Sequence, residues 1–187
     1  VYKTVKKGND RGMGASTGLR GSTLEELINL TNEAYRRKGL AVIQKVPTPI
    51  TPVQFDGTSR TITLAYFDQK STVDYIGAVQ GVPVCFDAKE TTLKSLPIQN
   101  VHEHQIEFMC EFEKQDGLAF LLVHFRHVDE YYYLPLGTLL EFWNAAKSGG
   151  RKSIPYDAFD KTLQIRNDGG CYIHYLEALS TILSRGE

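Results

Sequence analysis

The chain has 187 residues, 42% of them hydrophobic, and a formal net charge of -1. That suffices for one compact core, and no apolar run approaches the roughly 20 residues of a bilayer crossing, which excludes a membrane-spanning helix. The near-neutral total gives no overall polyanion-binding surplus. Charge is unevenly spread, however. Lys3, Lys6, Lys7, Arg11 and Arg20 stand against Asp10 alone in residues 1–21. Arg36-Arg37-Lys38 and Arg151-Lys152 are further basic clusters, offset by Glu103, Glu107, Glu111 and Glu113.

Residues 1–21, basic and glycine-rich, read as a flexible arm. A helix follows, capped by Ser22 or Thr23, with Glu25 and Glu26 where the helix dipole favours negative charge and Gly39 ending it. Leu40 to Val46 predicts a strand. Pro47, Pro49 and Pro52 then force an extended segment with an incomplete hydrogen-bonding ladder, which turns at Asp56-Gly57 into a second extended run over Thr61 to Phe67. Residues 47–62 are expected to form a two-stranded projection. Further strands are predicted over 72–80, 82–90 and 118–125, the first two joined by a tight turn at Gln80-Gly81. A helix over 101–115 carries apolar residues on more than one face and is expected to pack on both sides. Tyr131 to Leu134 predicts another strand; 136–147 and 173–184 predict helices. The order describes an α/β fold, a mixed central sheet flanked by helices, in one domain over 22–187. Cys85, Cys110 and Cys171, an odd set without Cys-x-x-Cys spacing, fit reduced thiols. With no apolar core of signal-peptide length near Val1, a cytoplasmic location is expected.

The predicted hairpin holds the chemistry. In Val82-Pro83-Val84-Cys85-Phe86-Asp87-Ala88-Lys89-Glu90, alternation puts Asp87 and Lys89 on one face and Phe86 and Ala88 on the other. The partner strand brings Asp74 across the turn. Two covered faces would desolvate these charges, which is costly unless they pair or serve a site. Two carboxylates beside an ammonium suit a hard cation such as Mg²⁺, which prefers oxygen ligands. From spacing alone a salt bridge, Asp87–Lys89 or Asp74–Lys89, is the commoner account, since Asp-x-Lys by itself is common. His102-x-His104 invites a metal reading, but residues two apart on a helix point apart; Tyr131 to Tyr133 read as packing in preference to base stacking.

Ordered blocks extend this pattern: Arg20-Gly21 before Glu25-Glu26, Thr31-Asn32-Glu33, Lys45-Val46-Pro47-Thr48-Pro49-Ile50, Ala65-Tyr66-Phe67, Ser71-Thr72-Val73-Asp74-Tyr75, Phe86-Asp87-Ala88-Lys89-Glu90-Thr91, His102-Glu103-His104-Gln105-Ile106, Gln115-Asp116-Gly117 and Gly150-Arg151-Lys152-Ser153-Ile154-Pro155. Together they resemble the RecU-type Holliday junction resolvases of bacteria, a branch of the PD-(D/E)xK nucleases with a restriction-endonuclease-like core. The resemblance implies that Asp74 and Asp87 bind the metal, Mg²⁺ with Mn²⁺ as an alternative, and that Lys89 completes the catalytic set. It suggests Glu26 as an extra ligand and Gln105 as a polar residue beside the site. Arg20, Lys45, Arg60, Arg151 and Lys152 fall where the family contacts DNA, and 47–62 corresponds to its stalk. Asp87 stands where the family more often has Glu.

The implied activity is structure-selective cleavage of four-way DNA junctions in recombination and repair, by a homodimer, with a recombinase as a candidate partner. The competing reading is a non-catalytic junction-binding or recombinase-modulating protein; the trio Asp74, Asp87 and Lys89 opposes it, because a pure binder gains nothing from acids beside phosphates.

Overall fold

The computed structural model describes residues 23–67, 72–167 and 170–186. The proposed arm over 1–21, with Arg20, lies outside the described residues. The first helix, α1 (Leu24–Arg37), is capped by Thr23: its hydroxyl accepts the Glu26 N–H, and Glu26 Oε2 accepts the Thr23 N–H at 2.8 Å. This reciprocal box satisfies two donors left over at the helix start. Gly39, at φ 67°, turns the chain out of the helix as expected.

A six-stranded mixed sheet follows, in the order β1 (Val42–Lys45), β4 (Tyr75–Val79), β5 (Val82–Thr91), β7 (Leu118–Phe125), β8 (Glu130–Pro135), β10 (Gln164–Ile165). Only β5 and β7 run parallel; the other neighbours are antiparallel. Parallel neighbours need a long crossover, which here contains α2 (Glu103–Glu113). Gln80 (φ 47°) and Gly81 (φ 94°) make the β4–β5 turn, both in the left-handed conformation that a two-residue hairpin of this twist demands.

Strand alternation divides the core in two. Phe86, Phe120, Leu122 and Tyr133 face α1 and α4 (Leu176–Arg185), while Cys85, Leu121, Val123 and Leu134 face α2 and α3 (Leu136–Lys147). An aromatic row crosses the first face: Tyr75 stacks on Phe86 at 4.8 Å, Phe86 on Phe120 at 4.8 Å, and Phe120 on Tyr133 at 4.2 Å. Each such pair adds about 0.5–1.5 kcal/mol beyond its burial, so the row pins the register of four strands. One block of the family pattern, Thr31-Asn32-Glu33, serves as an anchor here. Thr31 Oγ1 accepts the Ile173 N–H, and Asn32 Oδ1 accepts the Tyr175 hydroxyl, joining α1 to the segment before α4.

The structure differs from expectation in several places. Helix α2 is shorter than 101–115, and it buries Gln105, Ile106 and Met109 along one side while Phe108, Cys110 and Phe112 are only partly covered. Helix α4 begins at Leu176, three residues after the expected 173. A small ribbon, β6 (Ser95–Pro97) with β9 (Ser153–Pro155), joins stretches too short to show any periodicity. The Pro-rich projection is a separate two-stranded ribbon, β2 (Ile50–Asp56) with β3 (Thr61–Phe67), bulged around Val53 and extending past residue 62. Ile62, Leu64 and Tyr66 on it are 45%, 50% and 62% exposed, although their alternation in sequence resembles a core strand.

The sheet edge is tightly specified at Gly77, opposite Ile43. A Cβ there would stand 2.1 Å from the Val42 carbonyl oxygen and 2.7 Å from Ile43 Cα, both backbone. Gly77→Ala is therefore expected to lower stability by about 1–3 kcal/mol and to speed hydrogen exchange in β1; an unchanged urea midpoint would contradict this pairing.

Candidate active site

The Tyr75↔Phe86 register, continued by one residue, sets Asp74 opposite Asp87 on the face covered by α2. Each carboxylate is held by the other strand's backbone. The Asp74 N–H donates to Asp87 Oδ1 at 3.1 Å, and the Ala88 N–H donates to Asp74 Oδ2 at 2.9 Å. The Val46 N–H donates to the Asp74 carbonyl at 2.8 Å, fixing the approach to the strand.

Lys89, two residues along β5, forms an ion pair with Asp87 Oδ2. Gln105 reaches in from α2. Its Nε2 donates to Asp87 Oδ1 at 2.9 Å, and its Oε1 accepts from Lys89 Nζ at 3.4 Å and from the His102 N–H at 3.0 Å. One amide thus satisfies the start of its own helix and braces both the acid and the base. Asp87 is fully buried, and Lys89 keeps 15% of its side chain exposed.

The Asp87–Lys89 salt bridge that the spacing allows is present, but it does not balance the site. Two acids face one ammonium, which leaves one negative charge in excess when all three are ionised. Asp87 Oδ2 also meets Lys89 without hydrogen-bond geometry and has no hydrogen-bond partner. Facing carboxylates are costly when one ammonium serves both, and a hard cation between Asp74 and Asp87 would offset the excess negative charge. The donor set therefore fits a divalent metal with oxygen preference. Among the described residues no three His, Cys, Asp or Glu side chains converge as a ligand group, so the carboxylates on hand are these two.

Glu26 lies on the exposed N-terminus of α1 with its carboxylate in the capping box, and no hydrogen bond joins it to the pair. Its neighbour Glu25 is tied closer, through an ion pair with Lys45 and a backbone carbonyl that accepts the Tyr75 hydroxyl. Sequence reasoning did not single out that role for Glu25. Arg60 occupies the ribbon turn at φ 55°, exposed. Arg151 donates to Ser153 Oγ at 3.3 Å, and Lys152 is exposed beside it. His102 precedes α2, and its ring stacks on His104 at 5.4 Å, so these two do not diverge as they would inside a helix. Tyr132 and Tyr133 are core residues.

Burial, and next the Asp87 charge, push the Asp74 carboxyl up to about 6. A folded-state value above the unfolded one means that the stability from this proton is fully present below the unfolded pKa and is lost as pH rises through about 6. In the presence of chelator, Asp74→Asn is expected to melt above the unsubstituted chain at about pH 7, with the gap closing towards about pH 4. A gap independent of pH would contradict the raised carboxyl.

The family model "Recombination protein U" (RecU) matches residues 19–181. The Holliday junction resolvase RecU of Oenococcus oeni is 41% identical over 172 residues, covering 89% of this chain and 87% of that one. Its counterpart from Geobacillus sp. (strain WCH70) is 46% identical over 142 residues, covering 74% and 71%. Among solved structures, Hjc, a Holliday junction resolvase from Archaeoglobus fulgidus, aligns at a TM-score of 0.35 and 9% identity over 60% of this chain and 74% of that one, too loosely to add to the sequence match. With a family model covering most of its length and relatives above 40% identity, the chain belongs to the RecU family.

Proposed function

We propose that this chain is a structure-selective endonuclease that resolves four-way DNA junctions in recombination and repair, by metal-dependent hydrolysis at Asp74, Asp87 and Lys89. The reading is supported most directly by the crossed pairing that holds Asp74 and Asp87 against each other beside one ammonium, that of Lys89. Asp74 and Asp87 would hold Mg²⁺, or Mn²⁺ in its place, with Glu26, whose Oε2 accepts the Thr23 N–H, as the extra ligand the resemblance suggests. When bound, the divalent ion supplies Lewis acidity at the scissile phosphate and a more acidic water.

The protein's own groups do the rest. The crossed backbone hydrogen bonds keep Asp74 and Asp87 from swinging apart. Gln105 aims Lys89, whose charge stabilises the negative charge that builds on the phosphate. Lys45, Arg60, Arg151 and Lys152, with Arg20 outside the described residues, would contact DNA. These phosphate contacts set position, and the shape of the junction, probed by the β2–β3 ribbon, sets choice. Paired cuts in two strands call for two sites related by two-fold symmetry, hence a homodimer. A recombinase is a candidate partner, and the cytoplasm, with the chromosome, the expected place of action.

The test is cleavage of a labelled mobile four-way junction and of a linear duplex, with Mg²⁺ or Mn²⁺. Symmetric nicks in the junction alone, abolished by Asp87→Ala with binding retained, are expected. Binding without cleavage under either metal would overturn the enzyme and leave the non-catalytic junction binder.

A further inference from the structure

The start of β7, the end of β8 and the helices around them enclose a cavity of about 420 Å³ that the catalytic reading leaves unused. Leu118, Pro135 and Ile182 give it apolar walls, Glu113 at the end of α2 and Glu141 on α3 bring it two carboxylates, and Tyr133 reaches it from the core. It stands apart from the chemistry. Ala119 on its lining pairs with Cys85, four residues before the Lys89–Val123 pair, which is roughly 13 Å back along the strands.

Tyr133 points to a ligand. The residue is only 2% exposed, and its ring is stacked on Phe120 at 4.2 Å. Its hydroxyl makes no hydrogen bond among the described residues, yet it is not sealed from water, so the access it keeps is through this cavity. A buried tyrosine ordinarily gives its hydroxyl a partner, and leaving it without one is costly. Burial, and next the Glu113 charge, push the Tyr133 phenol well above its ordinary range, so the Glu113 carboxylate acts on that hydroxyl.

The charge around the cavity has one sign. No Lys, Arg or His lines it, and neither Glu113 nor Glu141 has an ion-pair partner among the described residues. Glu113 Oε1 accepts the Ala119 N–H at 3.3 Å, which leaves Oε2 for another donor. Partial burial pushes the Glu113 carboxyl up, and the Ala119 N–H offsets only part of this. The start of α3 has no side-chain cap and by itself favours an anion. Two unpaired carboxylates outweigh a helix end worth about half a charge.

We propose that this cavity binds a cationic nitrogen on an apolar stem, an alkylguanidinium or alkylammonium group, carried either by an arginine or lysine side chain of a partner protein or by a small free amine. The head donates to Glu113 and to the Tyr133 oxygen, the stem lies against Leu118, Pro135 and Ile182, and Glu141 adds charge from its exposed position. The inference is independent of the endonuclease reading.

The test follows Tyr133 by NMR in the full chain with isotope-labelled tyrosine, its signal assigned by its loss in Tyr133→Phe. Butylguanidinium, its neutral isostere butylurea, a blocked Gly-Arg-Gly peptide and inorganic phosphate are each titrated in. Butylguanidinium is expected to move the signal to saturation, and Glu113→Gln to weaken it about tenfold, as for a charge-assisted hydrogen bond. Glu141→Gln is expected to weaken it roughly two- to fivefold, the worth of an exposed ion pair. Gly137 lines the same cavity, and a Cβ there would meet nothing within 4 Å, so Gly137→Leu is expected to keep its melting temperature and lose the binding. A peptide that matches butylguanidinium assigns the cavity to a partner's side chain; one that fails where butylguanidinium binds assigns it to a small amine. No saturating shift with butylguanidinium, equal binding of butylurea, or a response to phosphate in its place would overturn the proposal.

Discussion

The antiparallel register of β4 and β5 is the constraint on which the rest depends, because it places two carboxylates directly across from each other. Like charges opposite one another destabilise a strand pair, and here one of them is fully buried. The stacked row Tyr75–Phe86–Phe120–Tyr133 lies on the other face of the same strands and holds that register. A slip by one residue would turn the aromatics toward α2 and the acids into the α1–α4 core. Packing on one face thus enforces an electrostatic conflict on the other, and the conflict is what gives the site its demand for a cation.

The second support comes from α2. Gln105 is both the residue that satisfies the start of its helix and the strut between Asp87 and Lys89. The position of α2 over the sheet and the geometry of the acid–base pair are therefore coupled through one amide. The ion pair of Glu103 with Lys147 continues the coupling outward to α3.

The convergence of Asp74, Asp87 and Lys89 was legible because strand alternation and a Gln-Gly turn are local signals. Gln105 was legible only through the family resemblance. Its helix is entered through His102, not a Ser, Thr, Asp or Asn, so the cap left no recognisable mark, and a glutamine between apolar residues does not reveal what it reaches. The β6–β9 ribbon was invisible for a different reason: three-residue strands far apart in the chain have no period to detect, and only the fold brings them together. The ribbon of β2 and β3 was legible as a projection from its prolines, but its end at Phe67 was not, since Ile62, Leu64 and Tyr66 alternate as a buried strand does, yet stay exposed. The crossed bonds from the Asp74 and Ala88 N–H groups to the opposite carboxylates needed coordinates, because backbone donors leave no mark in side-chain spacing.

The central claim is that Asp74 and Asp87 share one divalent ion. Titration of the metal-free chain with Mn²⁺, followed by the loss of its free electron paramagnetic resonance signal, tests it without DNA or activity. The account predicts one ion bound per chain, with binding lost in both Asp74→Ala and Asp87→Ala. Undiminished Mn²⁺ binding in those two variants would contradict it.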